Sequence, residues 1–216
     1  QDINLKSRIM HDREIKGIVK KIAPFLTYDQ DPYMVISDQG KLVWMLDAYT
    51  LSNRYPYAKP FNRNVNYIRN AVKVTIDAYD GTIKFYVMDT TDPIIQTYEK
   101  VFPMIFEPFT NMPSDLQAHI RYPQDLFKVQ TTMYRTYHMT DNKVFYNKED
   151  VWEIPTETYD GNVEIMDSYY MVTKIPGESE ESFVLMIPYT PTNKNNMIAW
   201  MSAKSDLKNY GQLKVF

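Results

Sequence analysis

Apolar residues at helical spacing first appear at Ile15, Ile18, Val19 and Ile22, a pattern that predicts a helix. Asp12 is placed to cap its start, and Ala23-Pro24 stops it, because a residue before proline is pushed out of the helical region. Two extended runs follow at 33–37 and 41–48, linked by Asp38-Gln39-Gly40. Three linking residues with glycine last predict a hairpin with a bulged turn. Residues 53–64 hold two prolines and three asparagines without a regular period, so a loop is expected there. A second hairpin is predicted around Asp80-Gly81, a dipeptide suited to a tight type I′ turn. With those two as the turn, Tyr79 faces Thr82, and Ala78, Ile76 and Val74 meet Ile83, Phe85 and Val87 on one face. Asp77 then falls opposite Lys84 on the other.

A helical block comes next. Asp92-Pro93 is an N-cap and first-turn signature, with Ile94, Tyr98, Val101 and Phe102 on one stripe and Pro103 as the stop. Pro113-Ser114-Asp115 opens a short helix carrying Leu116 and Ile120. Pro123 starts a longer one with Leu126, Val129, Met133 and Tyr137 inward. Beyond an acidic, proline-containing loop near Trp152, strands are predicted at 169–175 and 182–187. They flank 176–181, an acidic tip expected in solvent, and 196–202 is a further candidate strand. Leu213-Lys214-Val215-Phe216 reads as the start of another. Strands do not alternate with helices one for one, so the expected class is α+β, largely antiparallel β hairpins with a central helical block. Residues 1–216 read as a single domain, with a sub-division near 155 conceivable although no flexible linker marks one.

Composition narrows the function classes. The 216 residues carry 44% hydrophobic and 24% charged side chains and a formal net charge of −3. That is the make-up of a globular chain able to bury a core. No basic block stands out; Lys20-Lys21 suits the end of the first helix, and nucleic-acid binding is not expected. The absence of cysteine excludes disulfides, thiolate metal sites and a cysteine nucleophile. No window approaches the roughly 18 apolar residues of a membrane span, and no signal peptide opens the chain. The start at Gln1 and the stop at Phe216 both read as the edges of a piece of a longer protein. Thirteen prolines and 18 tyrosines against six glycines predict many fixed corners and an aromatic surface or groove.

No glycine-rich phosphate loop, G-x-S-x-G elbow or H-E-x-x-H pair occurs. His11, His119 and His138 stand apart in the chain, so a zinc site would need the fold to bring them together. Asp29-x-Asp31 sits in a turn before the first hairpin, with Asp47 at that hairpin's far end. Three hard oxygen donors on loop-like backbone suit calcium, although Asp29 and Asp31-Pro32 also serve as ordinary turn residues. The segment His119-Ile120-Arg121-Tyr122-Pro123 lies between two helix starts, close to Asp115 and Asp125. It suits an anion site or a salt-bridge knot in which Arg121 pairs with Asp125 or a carbonyl. Tyr49, Tyr55 and Tyr57 crowd one region and Tyr169-Tyr170 starts a strand. Such tyrosines form platforms for sugars or protein partners, or simply pack as strand residues.

Several phrases carry a resemblance. They include Ala23-Pro24-Phe25-Leu26, Asp31-Pro32-Tyr33, Asp47-Ala48-Tyr49-Thr50, Tyr55-Pro56-Tyr57, Asn66-Tyr67-Ile68-Arg69-Asn70 and Asp77-Ala78-Tyr79. His119-Ile120-Arg121-Tyr122-Pro123 follows, then Asp125-Leu126-Phe127, Gln130, Tyr137-His138, Phe145-Tyr146 and Pro188-Tyr189-Thr190-Pro191. Together they resemble uncharacterised protein family 0182, bacterial multi-pass membrane proteins with a large extracytoplasmic domain. The resemblance implies a fragment of that domain on the outer side of the plasma membrane, with the anchor before Gln1 and more of the soluble region after Phe216. It supplies no catalytic residue. The leading expectation is a non-catalytic module for interaction or assembly with envelope proteins or glycans. The alternatives are a carboxylate- or metal-dependent hydrolase acting on envelope material, using Asp29, Asp31, Asp47 or His119, and a calcium-stabilised spacer.

Overall fold

Helix α1 (Ile15–Ile22) forms where the apolar spacing predicts it, in a computed structural model that describes Asn4, Ser7 and residues 11–216; Gln1 lies outside the described residues. Its cap is Glu14 rather than Asp12. The Glu14 carboxylate accepts from the backbone N–H groups of Lys16 and Gly17, whereas Asp12 has a φ of 54° and pairs with Lys21. An N-cap residue is normally extended, and Asp12 is not.

The first sheet contains β1 (Thr27–Tyr28), β2 (Tyr33–Ile36), β3 (Leu42–Ser52), β4 (Tyr67–Asp77), β5 (Ile83–Val87) and β6 (Phe106–Pro108). They lie in the order β1-β3-β4-β5-β6, with β2 also on β3. All pairings are antiparallel except β5 with β6. The Asp38-Gln39-Gly40 link is a three-residue bulged turn, with Gly40 at φ 73° and Ser37 N–H donating to the Lys41 carbonyl.

At Asp80-Gly81 the expected register is off by two. Ile76 faces Ile83, Val74 faces Phe85 and Val72 faces Val87. The loop is longer because the Asp77 carboxylate accepts from the N–H groups of Tyr79 and Asp80 and holds the chain in a wider turn. Lys84 therefore pairs with Glu107 instead of Asp77. A two-residue slip leaves each side chain on the same face, so the apolar pattern fits both registers.

Residues 45–50 and 71–76 are all buried, because the central strands β3 and β4 are covered on both faces. On one face Leu46, Ala48, Val72, Val74 and Phe85 pack with Val19 of α1 and Ile95 of α2 (Pro93–Val101). Ile95, not Ile94, is the buried member of α2. Asp92 caps this helix as predicted and also accepts from Thr50 and Tyr67, so its buried carboxylate is fully engaged. On the other face Met45 and Tyr86 meet Leu116 of α3 (Ser114–Ala118) and Ile120.

Helix α4 (Gln124–Tyr137) lies between the sheets. Its buried residues are Leu126, Phe127 and Thr131, with Tyr134 packed against the same core; Tyr137 is exposed. The inward stripe is thus turned by about one residue from the predicted one, because Phe127 enters the second core. Helix α5 (Asn142–Asn147), capped by Asp141, had no counterpart in the sequence reading.

The second sheet runs β10-β11-β12-β13, with β7 (Trp152–Glu153) also on β11. Its strands are β10 (Tyr169–Lys174), β11 (Glu181–Pro191), β12 (Ala199–Lys204) and β13 (Leu213–Val215). Leu185, Ile187, Tyr189 and Met201 of this sheet share a core with Phe127 of α4 and Tyr49 of β3, which joins the two sheets. A separate hairpin, β8 (Thr156–Tyr159) and β9 (Asn162–Ile165), was not predicted. Its turn is Asp160-Gly161, with φ 48° and 80°: the positive-φ pair of a type I′ turn. The architecture is α+β with largely antiparallel sheets.

The acidic tip between β10 and β11 is not wholly in solvent. Glu178 turns back to pair with Lys204 at 2.6 Å and Lys214 at 2.5 Å, and these lysines hold its carboxyl below the usual 4.5. A depressed carboxyl contributes stability that is present above its unfolded value and lost as pH falls through the folded one. Glu178→Gln should therefore flatten the acid limb of a stability–pH profile below about pH 4.5, read by urea unfolding; an unchanged acid limb would show the pair contributes nothing.

Candidate functional site

The polar residues singled out along the chain gather at the seam between the two sheets. Asp29 follows β1, and its N–H donates to the Asp47 carbonyl at 2.9 Å. One oxygen of the buried Asp29 carboxylate accepts from Asp31 N–H at 2.8 Å. The other accepts from the Tyr49 hydroxyl and from Asp125 N–H at 3.1 Å. Helix α4 has no side-chain cap from its own N-cap residue, Pro123. Asp29 supplies one from 96 residues away, placing negative charge where the helix dipole favours it. Gln30 N–H in turn donates to Asp125 at 3.0 Å. Burial, and then the nearby Asp29 charge, raise the Asp125 carboxyl.

Asp31 does not join the other two carboxylates. It takes Arg121 at 2.5 Å and Gln124 at 3.2 Å. The Arg121 guanidinium lies 3.9 Å from the Tyr33 ring centre and 4.6 Å from that of Tyr170. This is the salt-bridge knot, with Asp31 as partner instead of Asp125, because the turn at 29–31 folds over the start of α4.

The deepest part of the seam is a buried ion pair. Asp47 and Lys73 are directly opposed on β3 and β4, and Lys73 Nζ donates to Asp47, to Tyr210 Oη at 2.6 Å and to the Arg121 carbonyl at 3.2 Å. Asn70 donates to Asp47 at 2.9 Å and accepts from Tyr210 at 3.1 Å. Burial pushes the Asp47 carboxyl up and the Lys73 ammonium down, while their mutual attraction opposes both shifts. Tyr49 and Tyr210 are pushed well above the ordinary phenol value, mainly by burial and further by the nearby carboxylates. They therefore remain neutral donors.

The other predicted residues divide by exposure. Tyr49 and Tyr122 are buried, so neither offers a surface platform. Tyr122 donates its hydroxyl to Gln130 at 2.8 Å and its N–H to Ser205. Tyr55 is exposed and stacks on Tyr67 with ring centres 5.4 Å apart, and Tyr57 stands fully in solvent. His119 is exposed, with Nδ1 2.7 Å from the Asp115 carbonyl. Among the described residues, no group of three or more His, Cys, Asp or Glu side chains is arranged to hold a metal ion.

An open cleft of about 460 Å³ lies beside the network, lined by Asn70, Tyr122, Gln130, Tyr210 and Gly211 with Arg69 and Asp89. Lys73 and Tyr210 went unnoticed in the sequence, Asn70 stood out only within a family phrase, and Tyr170 was read as a strand or platform tyrosine and not as a partner of Arg121. Lys73 had a readable signal: it interrupts a run of apolar and small residues from Ala71 to Ile76. Tyr210 had none, since its role depends on contacts with residues 137 and 140 positions away.

Removing one partner of a buried pair leaves an uncompensated charge, at a cost of about 3–5 kcal/mol. Lys73→Met should destabilise by about that much, and adding Asp47→Leu should recover most of it. Urea unfolding of both variants and the double mutant checks this; an additive double mutant would mean the two residues do not act as a pair.

Comparison with known proteins places the chain. The model of the uncharacterised protein family UPF0182 matches residues 1–216. The chain is 54% identical over 212 residues to a UPF0182 protein of Pelotomaculum thermopropionicum, covering 98% of this chain and 23% of that protein. A UPF0182 protein of Sulfurovum sp. is 53% identical over 216 residues, with 98% and 24% covered. One of Microcystis aeruginosa is 50% identical over 220 residues, with 100% and 23% covered. The chain thus spans about a quarter of the length of these relatives. No solved structure matches. Among the described residues no helix is long and apolar enough to cross a membrane. With the whole chain matched, this protein belongs to the uncharacterised protein family UPF0182.

Proposed function

We propose that the chain is a non-catalytic interaction and assembly module on the extracytoplasmic side of a bacterial plasma-membrane protein, working with envelope proteins or glycans. The observation that carries this reading is a contrast between interior and surface. The carboxylates best suited to chemistry, Asp29, Asp31 and Asp47, are each engaged by protein donors. Exposed apolar side chains occur at many points of the surface, and one group of them lies on a hairpin that belongs to neither large sheet. The β8–β9 hairpin pairs only with itself, every one of its residues is exposed, and Val163 and Ile165 are 71% and 68% exposed. Its register puts Thr156, Thr158, Val163 and Ile165 on one face and sets Glu157 opposite Glu164 on the other. An isolated two-stranded hairpin is marginal in water, and opposed like charges weaken it further. Contact with a partner along the apolar face would offset both. Tyr55 and Tyr57 are exposed as well. The membrane placement is supported by the family resemblance, and the relatives have ample length outside the matched quarter for an anchor.

Because this chain has no cysteine of its own, a single introduced one can be read in the full-length protein once any cysteine elsewhere in it is changed to serine. A Tyr57→Cys variant should react with a membrane-impermeant maleimide in intact cells. Labelling only after lysis would overturn the extracytoplasmic placement. A photo-crosslinking residue at position 163 should give an adduct with another polypeptide or glycan in the same cells. The same residue at position 28, which is buried, should not. Equal or absent adducts would remove the hairpin as the contact surface.

A further inference from the structure

We infer that the cleft beside the buried pair is a binding site for a neutral polyhydroxylated ring, a pyranose unit of a saccharide. The cleft shares no residue with the β8–β9 hairpin or the Tyr55–Tyr57 surface, so the inference stands apart from the docking role proposed for them. At about 460 Å³ it falls within the ~300–1,000 Å³ range of small-molecule sites.

Its chemistry is polar but balanced. Arg69 and Asp89 supply one charge of each sign, and Arg69 Nη1 stands 3.6 Å from Asp89 Oδ2, too far for a hydrogen bond. A hydroxyl group both donates and accepts, so a single sugar hydroxyl can bridge the two by accepting from the guanidinium and donating to the carboxylate. Asp89 is already oriented for this. Its other oxygen accepts from the N–H of Thr91 at 3.0 Å and from the hydroxyl of Thr91 at 2.6 Å, while Oδ2 is held in the loose ion pair with Arg69, which a ligand hydroxyl would bridge. Gln130 spends its carbonyl on the Tyr122 hydroxyl, which leaves its NH₂ group as a donor.

The apolar part of a sugar face has a counterpart as well. The partly exposed Tyr210 borders the cleft, backed by the buried ring of Tyr122 5.5 Å away at 56°. Aromatic rings of this kind provide area with a polar tip. Gly211, at φ 73°, keeps that space open: a Cβ there would come within 3.2 Å of Tyr122 Cε2. A net anion or cation is disfavoured, because the two rim charges cancel and the ionic pair behind the cleft is already matched.

Titration of the folded chain with N-acetylglucosamine and with maltose, followed by saturation-transfer NMR and thermal shift, tests the inference. Alanine serves as a zwitterionic control and glycerol as a non-ring polyol. At least one sugar should bind saturably, and Arg69→Met and Asp89→Asn should each weaken it at least tenfold while melting like the parent. No saturable binding of either sugar would overturn the inference. So would tighter binding of alanine or glycerol, or undiminished binding by both variants.

Discussion

The Asp47–Lys73 pair is the interaction on which the seam depends. Taking two charges out of water costs several kcal/mol per ion, and a bare pair would not return it. Here the charges are embedded: Asp47 also receives Asn70, and Lys73 also donates to Tyr210 and the Arg121 carbonyl. These groups come from three parts of the chain, with Asn70 on the same strand as Lys73. Asp47 and Lys73 belong to the first sheet, Arg121 to the segment before α4, and Tyr210 to the turn before β13. Satisfying the pair therefore requires the first sheet, the central helices and the second sheet to be in place together. A misplaced element would leave a buried polar group without a partner, which is more costly than losing an exposed contact.

The same logic organises the neighbouring turn. Asp29 caps α4 and holds Tyr49, while Asp31 neutralises Arg121 between two tyrosine rings. The tyrosine richness of the chain is explained in part by this role. A neutral phenol is long enough to cross an apolar layer and still hydrogen-bond at its tip. Tyr49, Tyr122, Tyr170 and Tyr210 all do so here. These phenols and carboxylates thus hold the interior together, and the hairpin, the loop around Tyr57 and the cleft are the places to which recognition is assigned only by proposal.

Local chemistry was the legible part of this sequence. The Asp92 cap, the Gly40 bulged turn, the proline stops and the α+β class follow from interactions within a few residues. The failures have physical causes. The Asp80-Gly81 register slipped by two because a side-chain turn at Asp77 lengthened the loop, and a period of two cannot detect an even slip. Meanwhile the same dipeptide at Asp160-Gly161 does make the tight turn, in a hairpin with little apolar alternation to announce it. Asp29, Asp31 and Arg121 were singled out as chemistry-bearing and do meet, Asp31 pairing with Arg121 and donating its N–H to Asp29, whereas Tyr122 bonds Gln130 and Ser205 instead. Lys73 showed itself only as a charge within an apolar run, and Tyr210 was invisible because its contacts with Lys73 and Asn70 span 137 and 140 residues.

The central claim is that the polar seam makes the two sheets fold as one unit. The chain has Trp44 in β3 and Trp200 in β12, so each sheet carries its own fluorescent reporter. Two variants, one retaining only Trp44 and one only Trp200, with the remaining tryptophans changed to phenylalanine, should be unfolded in urea after their overall stabilities are matched by circular dichroism. The account predicts that each tryptophan signal coincides with the backbone transition of its own variant. A Trp200 transition displaced from the backbone signal, with the second sheet melting apart from the first, would contradict it.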